Sequence, residues 1–106
     1  MIKIKIYEND VINSIEIKGH ANYNDYGKDI VCASVSSIAI ATVNALIKLN
    51  KDIDYTSKDG YLNIIINKHD EIVDKLIDNM IDLFMELETK YKNNIKIGRC
   101  RKCWWN

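Results

Sequence analysis

Twice along this chain, two short segments of alternating apolar and polar residues joined by a turn signal are followed by a long segment with helical spacing. That doubled arrangement restricts the fold more than any other feature. Ile2, Ile4 and Ile6 alternate with Lys3 and Lys5, as in a strand with one buried face. Glu8-Asn9-Asp10 reads as a turn, because Asn and Asp tolerate left-handed backbone and bond their own main chain. Val11, Ile15 and Ile17 alternate with Ile12, Glu16 and Lys18, so a second strand returns beside the first and ends near Gly19. After a polar loop over residues 20–28, Val31, Val35, Ile38, Thr42, Ala45 and Leu49 recur at helical spacing. They predict a helix over 30–49 with Asp29 as its N-cap.

The second cycle repeats the logic. Ile53 and Tyr55 open a third strand, Asp59-Gly60 is a two-residue turn signal, and residues 62–66 form a fourth strand. Ile72, Leu76, Met80, Leu83, Leu87 and Tyr91 make one helical stripe, widened by Val73, Ile77, Ile81 and Phe84. A stripe that wide faces the sheet and a second surface, such as another subunit. Asn93-Asn94 end the helix, and Ile95-Lys96-Ile97 add a short fifth strand. The order ββαββαβ predicts a two-layer α/β domain, a single mostly antiparallel sheet with two helices packed on one face. Residues 1–97 form that one domain, and residues 98–106 are a tail of cloning-derived or variable character.

Fifteen basic and fifteen acidic residues cancel, which argues against direct nucleic-acid binding because phosphate contacts call for a basic excess. The opening MIKIKIYEND lacks the continuous apolar core of a signal peptide, so a cytoplasmic location is expected. In that compartment the three cysteines are expected as thiols. Residues 30–47 carry no charge and approach the ~18 residues of a spanning helix. Ser34, Ser36, Ser37, Thr42 and Asn44 make the segment too polar for hydrocarbon on all sides, so it is read as a core helix with no membrane partner.

The chemistry-bearing pair is His20 and Cys32. Cys32 falls near the start of the first helix, where unpaired amides and the helix dipole favour a thiolate. His20 stands between strand and loop, where a returning chain would bring its imidazole to the sulfur to take the thiol proton and later donate to a leaving amine. The amides around Ile30 to Cys32 would then serve the tetrahedral oxyanion. Spacing alone carries little weight, because most cysteines are small buried hydrophobes and most loop histidines are merely polar.

More specific is the run Gly19-His20-Ala21, then Asp25-Tyr26-Gly27-Lys28-Asp29-Ile30-Val31-Cys32-Ala33, then Val35-Ser36, with Val43-Asn44-Ala45 further on. It resembles the Prp family of ribosomal-processing cysteine proteases, over nearly the whole chain. The resemblance implies a cytoplasmic homodimeric endopeptidase that removes the N-terminal extension of large-subunit ribosomal protein L27, cutting after an aromatic pair. It implies Cys32 as nucleophile, His20 as proton-transfer partner, and Gly19, Asp29 and Ser36 as supporting or substrate-binding positions. Gly19 is read as allowing a tight turn, Asp29 as a helix cap or histidine orienter, and Ser36 as a polar wall one turn from the sulfur. Tyr23 and Tyr26 are candidate substrate contacts. The competing function is a non-catalytic dimeric peptide-binding module or ribosome-assembly chaperone.

The tail has no counterpart in that family. Cys100 and Cys103 have the C-x-x-C spacing of half a zinc site or a redox pair, but no second pair accompanies them, so no metal and no cofactor is expected. His69 reads as a cap of the second helix.

Overall fold

The computed structural model describes residues 1–19 and 26–101, with the side chains of 26–29 and 101 outside the description. Its elements are β1 (Ile2–Glu8), β2 (Ile12–Lys18), α1 (Tyr26–Lys48), β3 (Ile53–Lys58), β4 (Tyr61–Ile66), α2 (Glu71–Lys90) and β5 (Ile95–Arg101). The five strands form one sheet in the order β3-β4-β2-β1-β5. Every pairing is antiparallel except β1 with β5. That exception follows from the connections: hairpins reverse the chain, whereas the crossover through α2 returns it in the direction of β1. The two-layer ββαββαβ fold is the one expected from the hydrophobic periods.

Alternation decides which sheet face is covered. Ile2, Ile4 and Ile6 are buried while Lys3 and Lys5 between them are exposed. Ile15, Ile17, Leu62, Ile64 and Ile66 continue the same buried face on β2 and β4. Val31, Val35, Ala39, Val43 and Leu46 of α1 and Val73, Ile77, Met80, Ile81 and Phe84 of α2 cover it, forming a single core. Each of the Val, Leu, Ile, Met and Phe side chains contributes about 1.5–3 kcal/mol by leaving water. The stretch Ile30–Lys48 is long and apolar enough to cross a membrane by length and composition, and in the fold its Val31-to-Leu46 edge is core.

Three boundaries differ from the sequence expectation. First, α1 begins at Tyr26, so residues 26–28 are helical and Asp29 lies inside the first turn, where it cannot be the N-cap. Gly27 is the weakest helix former in that stretch and costs only ~1 kcal/mol, which does not stop a helix whose following turns are buried. Second, α1 ends at Lys48 in a Schellman arrangement. Asn50 adopts φ 60°, its N–H donates to the Ile47 carbonyl, and the Lys51 N–H donates to that of Leu46. Third, β5 does not stop at Ile97 but pairs with β1 through Glu8↔Arg101. Arg99 Nη1 lies 3.1 Å from Glu8 Oε2, an ion pair between residues too distant in sequence for local patterning to show.

Cys100, on this last strand, is disulfide-bonded, which corrects the expectation of thiols throughout. Cys103, its companion in the C-x-x-C spacing, lies outside the described residues. His69 is not the cap of α2. Asp70 is, its carboxylate accepting from the Val73 N–H at 2.8 Å, while His69 Nδ1 sits 3.0 Å from Asp74 Oδ1 in the first turn.

Candidate active site

Cys32 lies six residues after the first helical residue, on the flank of α1 that borders the sheet. Its neighbours one turn on are Val35, which is buried, and Ser36, which is exposed, so the thiol stands at the edge of the core. It is half-buried, packs against the core cluster, and is outside any disulfide. In front of it opens a cavity of about 320 Å³. Ile2, Ile17 and Leu62, from three adjacent strands, and Val35 and Ile40 of α1 give it apolar walls. Residues 57–61, the turn joining β3 and β4, form its polar rim.

Gly19 shapes the near wall. The β2–β4 register, which pairs Lys18 with Tyr61, continues one step further through a hydrogen bond from the Gly19 N–H to the Gly60 carbonyl at 3.0 Å. At that point Gly19 has φ +140°, a region that residues with a Cβ rarely enter. A Cβ there would be driven into the Met1 carbonyl oxygen and would come within 2.9 Å of Ile2 Cα. The contacts are with backbone, so no side-chain rotation relieves them. The chain therefore leaves β2 pressed against the start of β1, and only glycine permits it.

The structure thus brings Gly19, Cys32 and Ser36 to one cavity. His20 lies outside the described residues, as does Tyr23, and Asp29 is described only in its backbone, inside α1. Two chemical expectations change with the earlier helix start. The amides of Ile30, Val31 and Cys32 fall past the first turn and belong to the helical ladder, so they are not available to an oxyanion. The dipole at the helix end acts mainly within its first turn, so its pull on Cys32 is weaker than sequence placement implied. Among the described residues no group of three or more His, Cys, Asp or Glu is placed to hold a metal ion.

The rim formed by Ser57, Lys58, Asp59 and Gly60 was not legible as part of a site. In sequence Asp59-Gly60 is an ordinary hairpin turn. It reaches Cys32 only because β4 pairs with β2 across more than forty positions, as in Lys18↔Tyr61.

Comparison with known proteins agrees with this construction. The family described as Cysteine protease Prp matches residues 1–96. The Ribosomal processing cysteine protease Prp of Staphylococcus aureus is 30% identical over 104 residues, covering 92% of this chain and 98% of its own. Its namesake from Bacillus subtilis is 32% identical over 97 residues, covering 81% and 84%. The crystal structure of the S. aureus protease in complex with a substrate peptide superposes with a TM-score of 0.86 at 27% identity, covering 94% of this chain and 100% of that one. A second crystal structure of it, with a covalently linked product peptide, gives 0.84 at 28% over the same shares. Matched from Met1 into the start of the last strand, with its glycine-walled cavity built around a thiol, the chain belongs to the cysteine protease Prp family and is a cysteine protease.

Proposed function

We propose that this protein removes the N-terminal extension of ribosomal protein L27 in the cytoplasm, with Cys32 as nucleophile and His20 as its proton-transfer partner. The observation that carries the reading is the cavity in which the Cys32 thiol meets apolar walls, at the point where Gly19 delivers the chain into residue 20. His20 takes the thiol proton as sulfur attacks the scissile carbonyl carbon. The tetrahedral oxyanion collapses to a thioester as the amine leaves with that proton, and water hydrolyses the thioester. Ser36, one turn from the thiol and lining the same cavity, supplies a hydroxyl donor for the oxyanion in place of the helical amides. Ile2, Ile17, Val35, Ile40 and Leu62 suit a large apolar side chain next to the scissile bond, in keeping with cleavage after an aromatic pair.

The working unit in this reading is a homodimer. Ile47 of α1 and Ile72, Leu83 and Met85 of α2 are exposed on the helical layer and are available to a second copy. The test uses a synthetic peptide carrying the L27 extension with its aromatic pair. Intact-mass measurement during turnover is expected to show an acyl adduct on the wild-type chain and none on Cys32→Ser. A peptide that binds and is never cut would overturn the proposal in favour of a binding module.

A further inference from the structure

The strand register places the lysines of the sheet in a line. Lys3 is opposite Lys18 on β2 and Lys96 on β5, Lys18 is opposite Tyr61 on β4, and Tyr61 is opposite Lys58 on β3. Alternation puts this line on the face away from the helices, since Lys3 lies between buried Ile2 and Ile4 and Lys18 follows buried Ile17. Read across the strands it runs Lys58, Tyr61, Lys18, Lys3, Lys96. At the usual strand spacing of about 4.8 Å the line is ~19 Å long.

Like charges directly opposite one another destabilise a sheet, so the array has a cost while no anion covers it. Little within the fold offsets that cost. Lys18 Nζ is 3.6 Å from Glu16 Oε1 and 5.8 Å from the centre of the Tyr61 ring. Lys3, Lys58 and Lys96 have no ion-pair partner among the described residues. On the opposite layer α2 carries six acidic residues against two lysines, which leaves nine acidic against thirteen basic residues in the rest of the chain, with Glu16 and Asp54 on the lysine face itself. Net neutrality is therefore the sum of two unlike faces. The sheet face taken alone is basic, with Lys3, Lys5, Lys18, Lys58 and Lys96 against Glu16 and Asp54, and so can meet a polyanion that the neutral whole would not attract.

We propose that the outer face of the sheet binds the phosphate backbone of single-stranded RNA along this lysine row. A line of positive charges matches a linear polyanion, and Tyr61 within it offers a ring face on which a base can stack, the combination that single-strand binding uses. The adjoining pleat presents Thr56 and Asn63 rather than apolar side chains, which favours a nucleic acid over a lipid surface. Lys3, Lys18 and Tyr61 are each adjacent in sequence to a wall residue of the Cys32 cavity, Ile2, Ile17 and Leu62. Lys58 and Tyr61 also belong to the cavity rim, so RNA on this face would run along the edge of the cavity, positioned for a polypeptide that emerges from a ribonucleoprotein particle. The inference does not depend on the proteolytic reading, because binding is measured without turnover.

The experiment is fluorescence anisotropy of labelled oligouridine of roughly a dozen nucleotides with the full chain, titrated at several salt concentrations. Binding is expected to weaken with salt at a log–log slope of about −3, as four lysine–phosphate contacts require. Lys3→Glu with Lys96→Glu is expected to weaken binding at least ~tenfold while peptide turnover stays at wild-type rate. Lys75→Glu with Lys90→Glu, the same charge change made on α2, is expected to leave binding unaltered. Lys3→Gln with Lys96→Gln gives the milder comparison if the reversal impairs folding by circular dichroism. Absence of salt-dependent binding, equal loss from both pairs, or oligoglutamate or anionic vesicles competing as well as RNA would each overturn the assignment.

Discussion

Replacing Gly19 with Ala tests the wall of the cavity more directly than any change at the thiol. A non-glycine residue held at φ +140° costs about 1–3 kcal/mol of backbone strain. The new Cβ also has to displace the Met1 carbonyl and Ile2 Cα, and Ile2 is itself buried at 4% exposure in the core. Loss of the Gly19–Gly60 hydrogen bond, now 3.0 Å, adds about 1 kcal/mol. The sum, ~2–4 kcal/mol, corresponds in a domain of this size to a melting temperature lower by about 10–25 °C. Gly98→Ala is the matched comparison, because a Cβ there meets nothing within 4 Å. It is expected to leave the melting temperature unchanged or slightly raised, since alanine restricts the unfolded chain. Thermal unfolding by circular dichroism reads both variants, and peptide cleavage well below the melting transition reads the site. Turnover of Gly19→Ala is expected to fall further than its folded fraction, because the strain lies beside residue 20. If Gly19→Ala melts within a few degrees of wild type, the close approach of β2 to the start of β1 is wrong.

Cys32→Ala should abolish cleavage and keep peptide binding, because a half-buried thiol gives up little volume; turnover at wild-type rate would remove Cys32 as nucleophile. His20→Ala should lower peptide turnover by roughly a hundredfold or more and raise the pH at which Cys32 alkylates, with the fold intact; an unchanged alkylation profile would mean that another group activates the thiol. Ending the chain after Ile97 removes the pairing of Gly98 to Arg101 with Lys5 to Glu8 and the Arg99–Glu8 ion pair, so the melting temperature should drop. Turnover per folded molecule should survive that truncation, because the cavity is at the other end of β1; equal melting of the two chains would show the extra strand length to be unimportant. The Asp70 carboxyl is held below its ordinary range, first by Lys51 Nζ at 2.8 Å and then by the Val73 N–H. Its contribution is present above the unfolded-state pKa of 3.8 and is lost as pH falls through the lower folded value. Asp70→Asn should therefore reduce the melting temperature at neutral pH, and the gap should close in acid.

What the sequence conveyed and what it withheld divide along the range of the interactions involved. Strands and helices were legible because Ile2, Ile4 and Ile6, or Val73, Ile77 and Phe84, repeat at the period of the element they build. The α1 start was misplaced because residues 26–28 look polar and loop-like, while the helix is decided by its buried later turns, Val31 onward. The continuation of β5 was missed because Gly98 to Arg101 has little apolar pattern of its own and is ordered by the β1 edge. At the site, Cys32, Ser36 and Gly19 were found from a local motif, whereas the rim at Ser57 to Gly60 arises from a long-range register that no local pattern records.

The misplaced helix start changes how the thiol must be activated. At 1.5 Å per residue, Cys32 is about 9 Å along the axis from the first helical residue. Half a unit charge at that distance is worth roughly 0.2 kcal/mol in water and 0.9 kcal/mol at the effective dielectric near a protein surface. Either figure changes the thiolate population by less than about fivefold, whereas a positioned general acid–base group contributes about 10²–10⁴. A cysteine in the first turn would draw much of its reactivity from the helix whatever occupied residue 20. A cysteine a full turn deeper depends on a partner, the part that the proposed function gives to His20. The glycine that fixes where the chain leaves β2 becomes part of the catalytic argument for the same reason. Displacing residue 20 by strain at Gly19 should reproduce in the alkylation profile the direction of change that His20→Ala produces, and a profile that moves in one variant but not in the other would separate placement of the base from its chemistry.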